Sequence, residues 1–540
     1  DSGYVFTTFN GGWAREMNRH DTLIYAGKHV NSSYTGSSSS RANPFVMLSH
    51  EDTSEDHGDC YGFNLVYSGN HYEACEVSSF NKTRYVSGIN PQSFEFLIQK
   101  GEAFETPEAV MTYSPYGFNG MSRIMHEFVR ECIVRGKWKH KVRPVLLNSW
   151  EAAYFDFTGE TLYNLAKEAR SLGIDMLVLD DGWFGKRDDD NSGLGDWYVN
   201  EKKLGETLGG LVKRVNDLGV KFGIWIEPEM ISEDSDLYRE HPDWALTIPG
   251  RKPVRSRNQL VLDFSRKEVV DGIFGQISAV LDNANIEYVK WDMNRSLMDV
   301  FSVMTKDQGR VMYDYVLGLY DFLDRMVNRY PDLLIEGCSG GGGRFDAGML
   351  YYTPQIWCSD NSDAIDRLRI QYGTSFGYPV SAMGAHVSAV PNHQTGRITP
   401  LHTRGVVAMS GTFGYELDLL KLTEEEKDEV RSQIGEFRKY APLIQNGRYY
   451  RLTDPFKSEV CAWEIVGNSQ EEVLLNVVME EIHGNMTVNY VQLRGLDESA
   501  LYKEQTTGRI YSGAALMHGG MPLPAEFGEY RAYQYHFVRE

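Results

Sequence analysis

"EYVKWDMNR", residues 287–295, opens as a buried strand and closes on Lys290, Asp292 and Arg295. Charged side chains are almost never fully buried without a partner. A strand that enters a core and finishes in two cations and an acid therefore ends at something polar.

The same pattern recurs on both sides of this stretch. Apolar runs lie at 143–150 (RPVLLNSW), 174–183 (IDMLVLDDGW), 221–230 (KFGIWIEPEM) and 260–265 (LVLDFS). Four more lie at 286–294, 333–341 (LLIEGCSGG), 354–363 (PQIWCSDNSD) and 379–386 (PVSAMGAH). Amphipathic stretches such as TGETLYNLAKEARSLG and LGGLVKRVNDLG separate most of them. Buried parallel strands read as short, nearly continuous apolar runs, and eight strand–helix alternations predict a central (β/α)8 TIM barrel. A doubly wound sheet would place a glycine-rich phosphate loop after its first strand, and LLNSWEA is not one.

The flanks read differently. Short alternating segments such as FVMLS, YGFNLVYSG and SFEFLI, broken by Gly, Asn and Ser, predict an N-terminal β-sandwich portion over 1–115. Apolar residues Met121, Ile124, Met125, Phe128 and Val129 follow helical spacing and predict a linking helix over 116–138. The barrel then spans 139–448. CAWEIVG, EEVLLNVVM, MTVNYVQLRG and YRAYQYHFV predict a small antiparallel C-terminal β-sandwich over 449–540. A multidomain chain is expected at 540 residues, which is too long for one core.

Composition narrows the function. No run of 18 or more apolar residues is present, so no membrane span is expected. A formal charge of -21 repels phosphate backbones and anionic lipid, which argues against nucleic acid and for a neutral or cationic ligand. Six cysteines without a CxxC pair predict neither a zinc site nor a disulfide framework, and fit a reducing, cytoplasmic home. The opening DSGYVFTTF has no initiator Met and starts inside a strand, so upstream sequence is expected. No HxxxH pair occurs, and His386 and His393 flank a proline, so no metal and no cofactor are expected. No Gly-x-Ser-x-Gly elbow appears, which disfavours serine hydrolase chemistry.

In a barrel, the C-terminal strand ends carry the site. Here they end in Trp150, in Asp180 and Asp181, in Trp225 with Glu227 and Glu229, in Lys290 and Asp292, in Cys338, and in Asp360 and Asp363. An indole covers the apolar face of a pyranose while Asp, Lys and Arg take its hydroxyls, so this rim suits a sugar. Glycoside cleavage needs two carboxyl groups about the bond. Lys290 and Asp292 share a strand face, and a nearby cation keeps an aspartate ionised, which makes Asp292 the nucleophile candidate. A structural Asp–Lys pair has the same spacing. Asp360 is the better-placed acid, since Asp363 suits the N-cap of a helix beginning near Ala364. Asp180 with Asp181 reads as a clamp for adjacent hydroxyls, and Glu227 and Glu229 stay open as rivals.

LVLDDGWFGKRDDD, GIWIEPEM, YVKWDMNR, EGCSGGGGRFDAGML and WCSDNSDAIDRLRIQYG, in this order, closely resemble the bacterial α-galactosidases of glycoside hydrolase family 36, in clan D. The resemblance runs from TTFNGGWAREM to the C-terminal sandwich. It implies a retaining mechanism through a covalent galactosyl–enzyme intermediate, with Asp292 as nucleophile and Asp360 as acid/base. It further implies that Asp180 and Asp181 bind the 4- and 6-hydroxyls, that Lys290 and Arg257 bind other hydroxyls, and that Trp150 and Trp225 form aromatic walls. Cys338 and Gly341 match positions around the 2-hydroxyl. An α-galactoside oligosaccharide such as melibiose or raffinose is the implied substrate, and a homo-oligomer, a tetramer in the family, the implied assembly. Family members carry a larger N-terminal sandwich than is seen here. The alternatives are an α-N-acetylgalactosaminidase, a raffinose-synthase-like transglycosylase and, from another class, a catalytically silent sugar-binding protein on the same barrel.

Overall fold

The computed structural model describes residues 3–39, 41–485 and 487–540; Asp1, Ser2, Ser40 and Met486, which fall in stretches read above as strand or loop, lie outside the described residues. Leu146–Asn148, Met176–Leu179, Lys221–Ile226, Tyr288–Trp291, Leu334–Gly337 and Gln355–Trp357 form six successive parallel barrel strands. Met383–Gly384 and His386–Ser388 together act as the seventh. The first piece pairs with Gln355–Trp357, and the second pairs with Gly414–Glu416, which returns to Leu146–Asn148 and closes the ring. All four residues of Tyr288–Trp291 are buried, as expected of a strand covered on both faces. The helix before it, Lys267–Asn283, buries Val269, Val270, Ile273, Phe274 and Ile277 at helical spacing against the barrel.

One expected barrel strand is not one. In LVLDFS, Leu260–Val261 pairs antiparallel with Met230–Ile231 as a two-stranded sheet outside the ring. The true eighth strand, Gly414–Glu416, is three residues long and holds a glycine and a glutamate, so no apolar run announced it. A short apolar run reports burial and does not report which sheet does the burying. Lys290 and Asp292 therefore close the fourth strand, Cys338 follows the fifth and Asp360 the sixth.

The N-terminal portion packs a five-stranded antiparallel sheet, in the order Asn18–Leu23, Tyr4–Asn10, Phe45–His50, Cys60–Leu65, Ala109–Ser114, against a three-stranded one, Gly27–Ser32, His71–Val77, Thr83–Ile89. Phe6, Ile24, Val46, Leu48, Cys75 and Val77 fill the space between. The linking helix, Gly117–Phe128, passes into a π-helical turn, Val129–Ile133. After Glu424–Asn446, a six-stranded antiparallel sheet runs from Arg448–Arg451 to Arg531–Arg539 and on to Ile510–Ser512, with Tyr490–Val491 and Met521–Pro522 as a small second layer.

Candidate active site

Tyr288–Trp291 brings Lys290 and Asp292 to the barrel mouth, and eight of the ten residues to which the family resemblance gave a role line one cavity of about 310 Å³ there. These are Trp150, Asp180, Asp181, Trp225, Arg257, Lys290, Asp292 and Asp360. Cys338 and Gly341 stand one layer behind it. The thiol of Cys338 helps to lower the Asp292 carboxyl, and Gly341 packs under the backbone of Asp360.

Asp292 is buried, with both carboxylate oxygens satisfied twice. Oδ1 accepts the N–H groups of Met293 at 2.8 Å and Gly340 at 3.1 Å; Oδ2 accepts Asn294 Nδ2 at 2.7 Å and Trp225 Nε1 at 3.1 Å. Burial pushes the Asp292 carboxyl up, but Lys290, Arg257, the Cys338 thiol and the Gly340 amide outweigh it and leave it below the ordinary aspartate value. Asp360 is pushed the other way. Burial and the facing Asp292 charge raise its carboxyl, against the smaller pull of the Trp13 indole, Lys290 and Arg257. Two carboxyl groups in one cavity, one shifted toward its ionised form and the other toward its protonated form, are equipped for different halves of an acid–base reaction.

The structure shows where the remaining candidates lie and what holds them. Lys290 pairs with Asp180, Nζ to Oδ2 at 3.0 Å, and acts on Asp292 through its charge alone. Asp180 also accepts Asn148 Nδ2 at 2.7 Å, and Asp181 is held by Arg187, whose Nε and Nη2 reach it at 3.0 and 2.8 Å. Asp363 caps the helix Ala364–Thr374, accepting from the N–H groups of Ile365 and Asp366, and is tied down by Arg397. Glu229 is fully buried among Arg344, Trp291 and Tyr315. Glu227 accepts from Gln259 and from the Asn294 backbone N–H behind the cavity wall. Neither glutamate lines the cavity. Trp225, expected as a stacking wall, spends its indole N–H on Asp292.

Several lining residues escaped the sequence reading. Glu416 sits at the end of the eighth strand, which was not recognised, and bonds to His386 at 3.2 Å. Trp357 is buried within the sixth strand's apolar run, so nothing in its position marked it as a wall. Trp13 comes from the N-terminal sandwich, two-thirds exposed, with its indole Nε1 donating to Asp360 Oδ2 at 2.9 Å. Arg187, which holds Asp181 without lining the cavity itself, was visible as the arginine in WFGKRDDD, but its partner depends on how that loop folds back.

A parallel (β/α)8 barrel with two carboxyls and a ring of polar and aromatic side chains at its strand ends is an architecture that glycoside hydrolases use. Family models place it further. Residues 103–447 match melibiase, 1–99 the glycosyl hydrolase family 36 N-terminal domain and 460–537 the family 36 C-terminal domain. The chain belongs to glycoside hydrolase family 36. It is 59% identical over 530 residues to the bifunctional alpha-galactosidase/sucrose kinase AgaSK of Mediterraneibacter gnavus, covering 98% of this chain and 56% of that protein. Against alpha-galactosidase Mel36A of Lactobacillus acidophilus it is 49% identical over 539 residues, covering 99% of this chain and 74% of the relative. The crystal structure of a variant of the alpha-galactosidase AgaA of Geobacillus stearothermophilus in complex with raffinose superposes with a TM-score of 0.98 at 47% identity, over 100% of this chain and 75% of that one. The chain thus spans little more than half the length of the bifunctional relative and about three quarters of the others.

Proposed function

We propose that this chain is a retaining α-galactosidase that releases terminal α-linked galactose from oligosaccharides such as melibiose and raffinose. The observation that carries the reading is the opposed polarisation of Asp292 and Asp360 in one cavity. Asp292, ionised and held by four donors, attacks the anomeric carbon and forms a galactosyl ester. Asp360, protonated, gives its proton to the departing oxygen and then takes one from the water that hydrolyses the ester. Asp180, Asp181, Lys290 and Arg257 are assigned to the galactose hydroxyls, Trp150 and Trp225 to the walls, and Cys338 and Gly341 to the space around the 2-hydroxyl. Solved structures of relatives that hold raffinose and stachyose support the substrate class. The same reading extends to a homo-oligomer, by likeness to the family, and to a cytoplasmic location, supported by six free cysteines.

The test is hydrolysis of a nitrophenyl α-galactoside and of the matching N-acetylgalactosaminide, with NMR detecting the sugar before mutarotation. α-Galactose appearing first, with the acetamido sugar unreacted, supports the reading. β-Galactose first means inversion and removes the nucleophile role of Asp292.

A further inference from the structure

The turn GGWAREM, residues 11–17, joins two strands of the N-terminal sandwich, yet its side chains complete the barrel mouth. Trp13 Nε1 donates to Asp360 Oδ2 at 2.9 Å. Ser359 Oγ donates to Glu16 Oε2 at 2.5 Å, the Ala14 N–H donates to Glu16 Oε1 at 3.2 Å, and Asn361 Nδ2 donates to the Ala14 carbonyl at 3.2 Å. The barrel is hollowed to accept this turn. A Cβ on Gly341 would stand 2.6 Å from the Asp360 amide nitrogen and 2.9 Å from Glu16 Oε1, and one on Gly373 would stand 1.8 Å from the Met17 carbonyl oxygen. The loop that carries Asp360 is thus bonded to the turn from both sides, Trp13 at the cavity face and Glu16 behind.

Glu16 is an unusual residue to bury. It is 5% exposed, and among the described residues no cation forms an ion pair with it. The guanidinium of Arg367, whose charge it feels, is spent on the Asn361, Ser359 and Gly384 carbonyls and on the Cys358 sulfur. A buried carboxyl without a counter-ion is costly, so its retention beside Asp360 calls for a use.

We propose that Trp13 and Glu16 are positioning residues for Asp360, set on it from another domain, with opposed effects on its proton. The Trp13 N–H stabilises the Asp360 carboxylate, whereas a charge on Glu16 opposes it. This inference rests on Asp360 being the acid/base. Burial, first, and the Asp360 charge hold the Glu16 carboxyl at about 7, so Glu16 ionises across neutral pH and then resists loss of the Asp360 proton. The other charged or titratable groups facing Asp360 are Asp292, Lys290, Arg257, Cys338 and His393. Those facing Glu16 besides Asp360 are Arg367 and Cys358. None of them changes in the variants below.

The sign of each effect is fixed. The basic limb of kcat/KM on raffinose follows deprotonation of Asp360 in the free enzyme. Trp13→Phe removes a donor to the carboxylate and moves that limb to higher pH. Glu16→Gln removes the opposing charge and moves it to lower pH, each by about half a unit to one unit. Ser359→Ala leaves the acid in place but withdraws its donor, so Glu16 stays neutral to higher pH and the limb again moves down. Profiles on raffinose for the three variants, with Asp360→Ala compared on raffinose and a nitrophenyl galactoside, test the idea. Opposite displacement by Trp13→Phe and Glu16→Gln is the expected result, and no purely structural loss produces it. Limbs that stay in place, or move together, overturn the proposal while a leaving-group-dependent loss in Asp360→Ala keeps the acid/base assignment standing. Equal losses on both substrates in Asp360→Ala overturn that assignment and the proposal with it.

Discussion

Lys290 and Asp292 alternate with Trp291 along one strand, and that alternation is why two charges share the cavity while Trp291 turns into the core to meet Glu229. This much was legible in nine letters of sequence. The partners were not. Lys290 touches Asp180, Trp225 touches Asp292, and Trp13 touches Asp360 from 347 residues away, all pairings made only by closure of the barrel and docking of the sandwich. Two outcomes follow for the acids. Asp292→Gly should lower hydrolysis by about 10⁴-fold or more, and added azide should yield β-galactosyl azide from an activated α-galactoside. An α-azide product, or near-normal turnover, rules Asp292 out as nucleophile. Asp360→Ala should cost about 10²-fold or more on raffinose but far less on a nitrophenyl galactoside, whose leaving group departs without a proton. In the parent enzyme, kcat/KM should fall in acid as Asp292 takes a proton, below the usual aspartate range, and fall in base as Asp360 loses one, above that range. A narrow optimum at the ordinary aspartate value would contradict this opposed pair.

At the scale of elements, apolar runs located seven of eight barrel strands and misplaced one. The run LVLDFS failed because a two-residue bridge outside the ring buries its side chains as completely as a barrel strand would. The eighth strand failed for the converse reason, since two of its three residues are a glycine and the glutamate that serves the cavity. The sharpest element-level distinction is between Asp360 and Asp363, three residues apart. Asp363 ends the loop and starts the helix Ala364–Thr374, where its carboxylate accepts two backbone N–H groups and the Thr395 hydroxyl at 2.8 Å and meets Arg397. Asp363→Ala should therefore cost about 2 kcal/mol of stability through the lost cap and ion pair. The ratio of raffinose to nitrophenyl galactoside turnover should stay as in the parent. A ratio that collapses as in Asp360→Ala would mean that Asp363 takes part in proton transfer.

Across the whole molecule, four regions that are separate in sequence, the N-terminal sandwich, the linking helix, the barrel and the C-terminal sheet, are joined at one fully buried guanidinium. Arg451, at the end of Arg448–Arg451 in the C-terminal sheet, reaches Glu55 of the N-terminal sandwich at 3.0 Å. It also reaches the Ser122 hydroxyl of the linking helix at 3.1 Å and the Ser375 carbonyl, just past the helix that Asp363 caps, at 3.0 Å. Its guanidinium lies 3.7 Å from the Phe376 ring centroid, and its backbone exchanges two hydrogen bonds with Asn119. No motif signalled this residue, because each partner is unremarkable alone. Replacing it strands a partly buried glutamate, a carbonyl and a hydroxyl together. Arg451→Met keeps the length and the contact with Phe376 but removes every charged bond, so it should cost about 3 kcal/mol. None of its partners lines the cavity at the barrel mouth, so activity per folded molecule at 25 °C should be unchanged. Differential scanning calorimetry reads the result as a lower midpoint, with the transition broadening as the domains begin to unfold apart. An unchanged midpoint would place the docking energy in the apolar contacts of the linking helix, and the guanidinium would then be only a passenger at the junction.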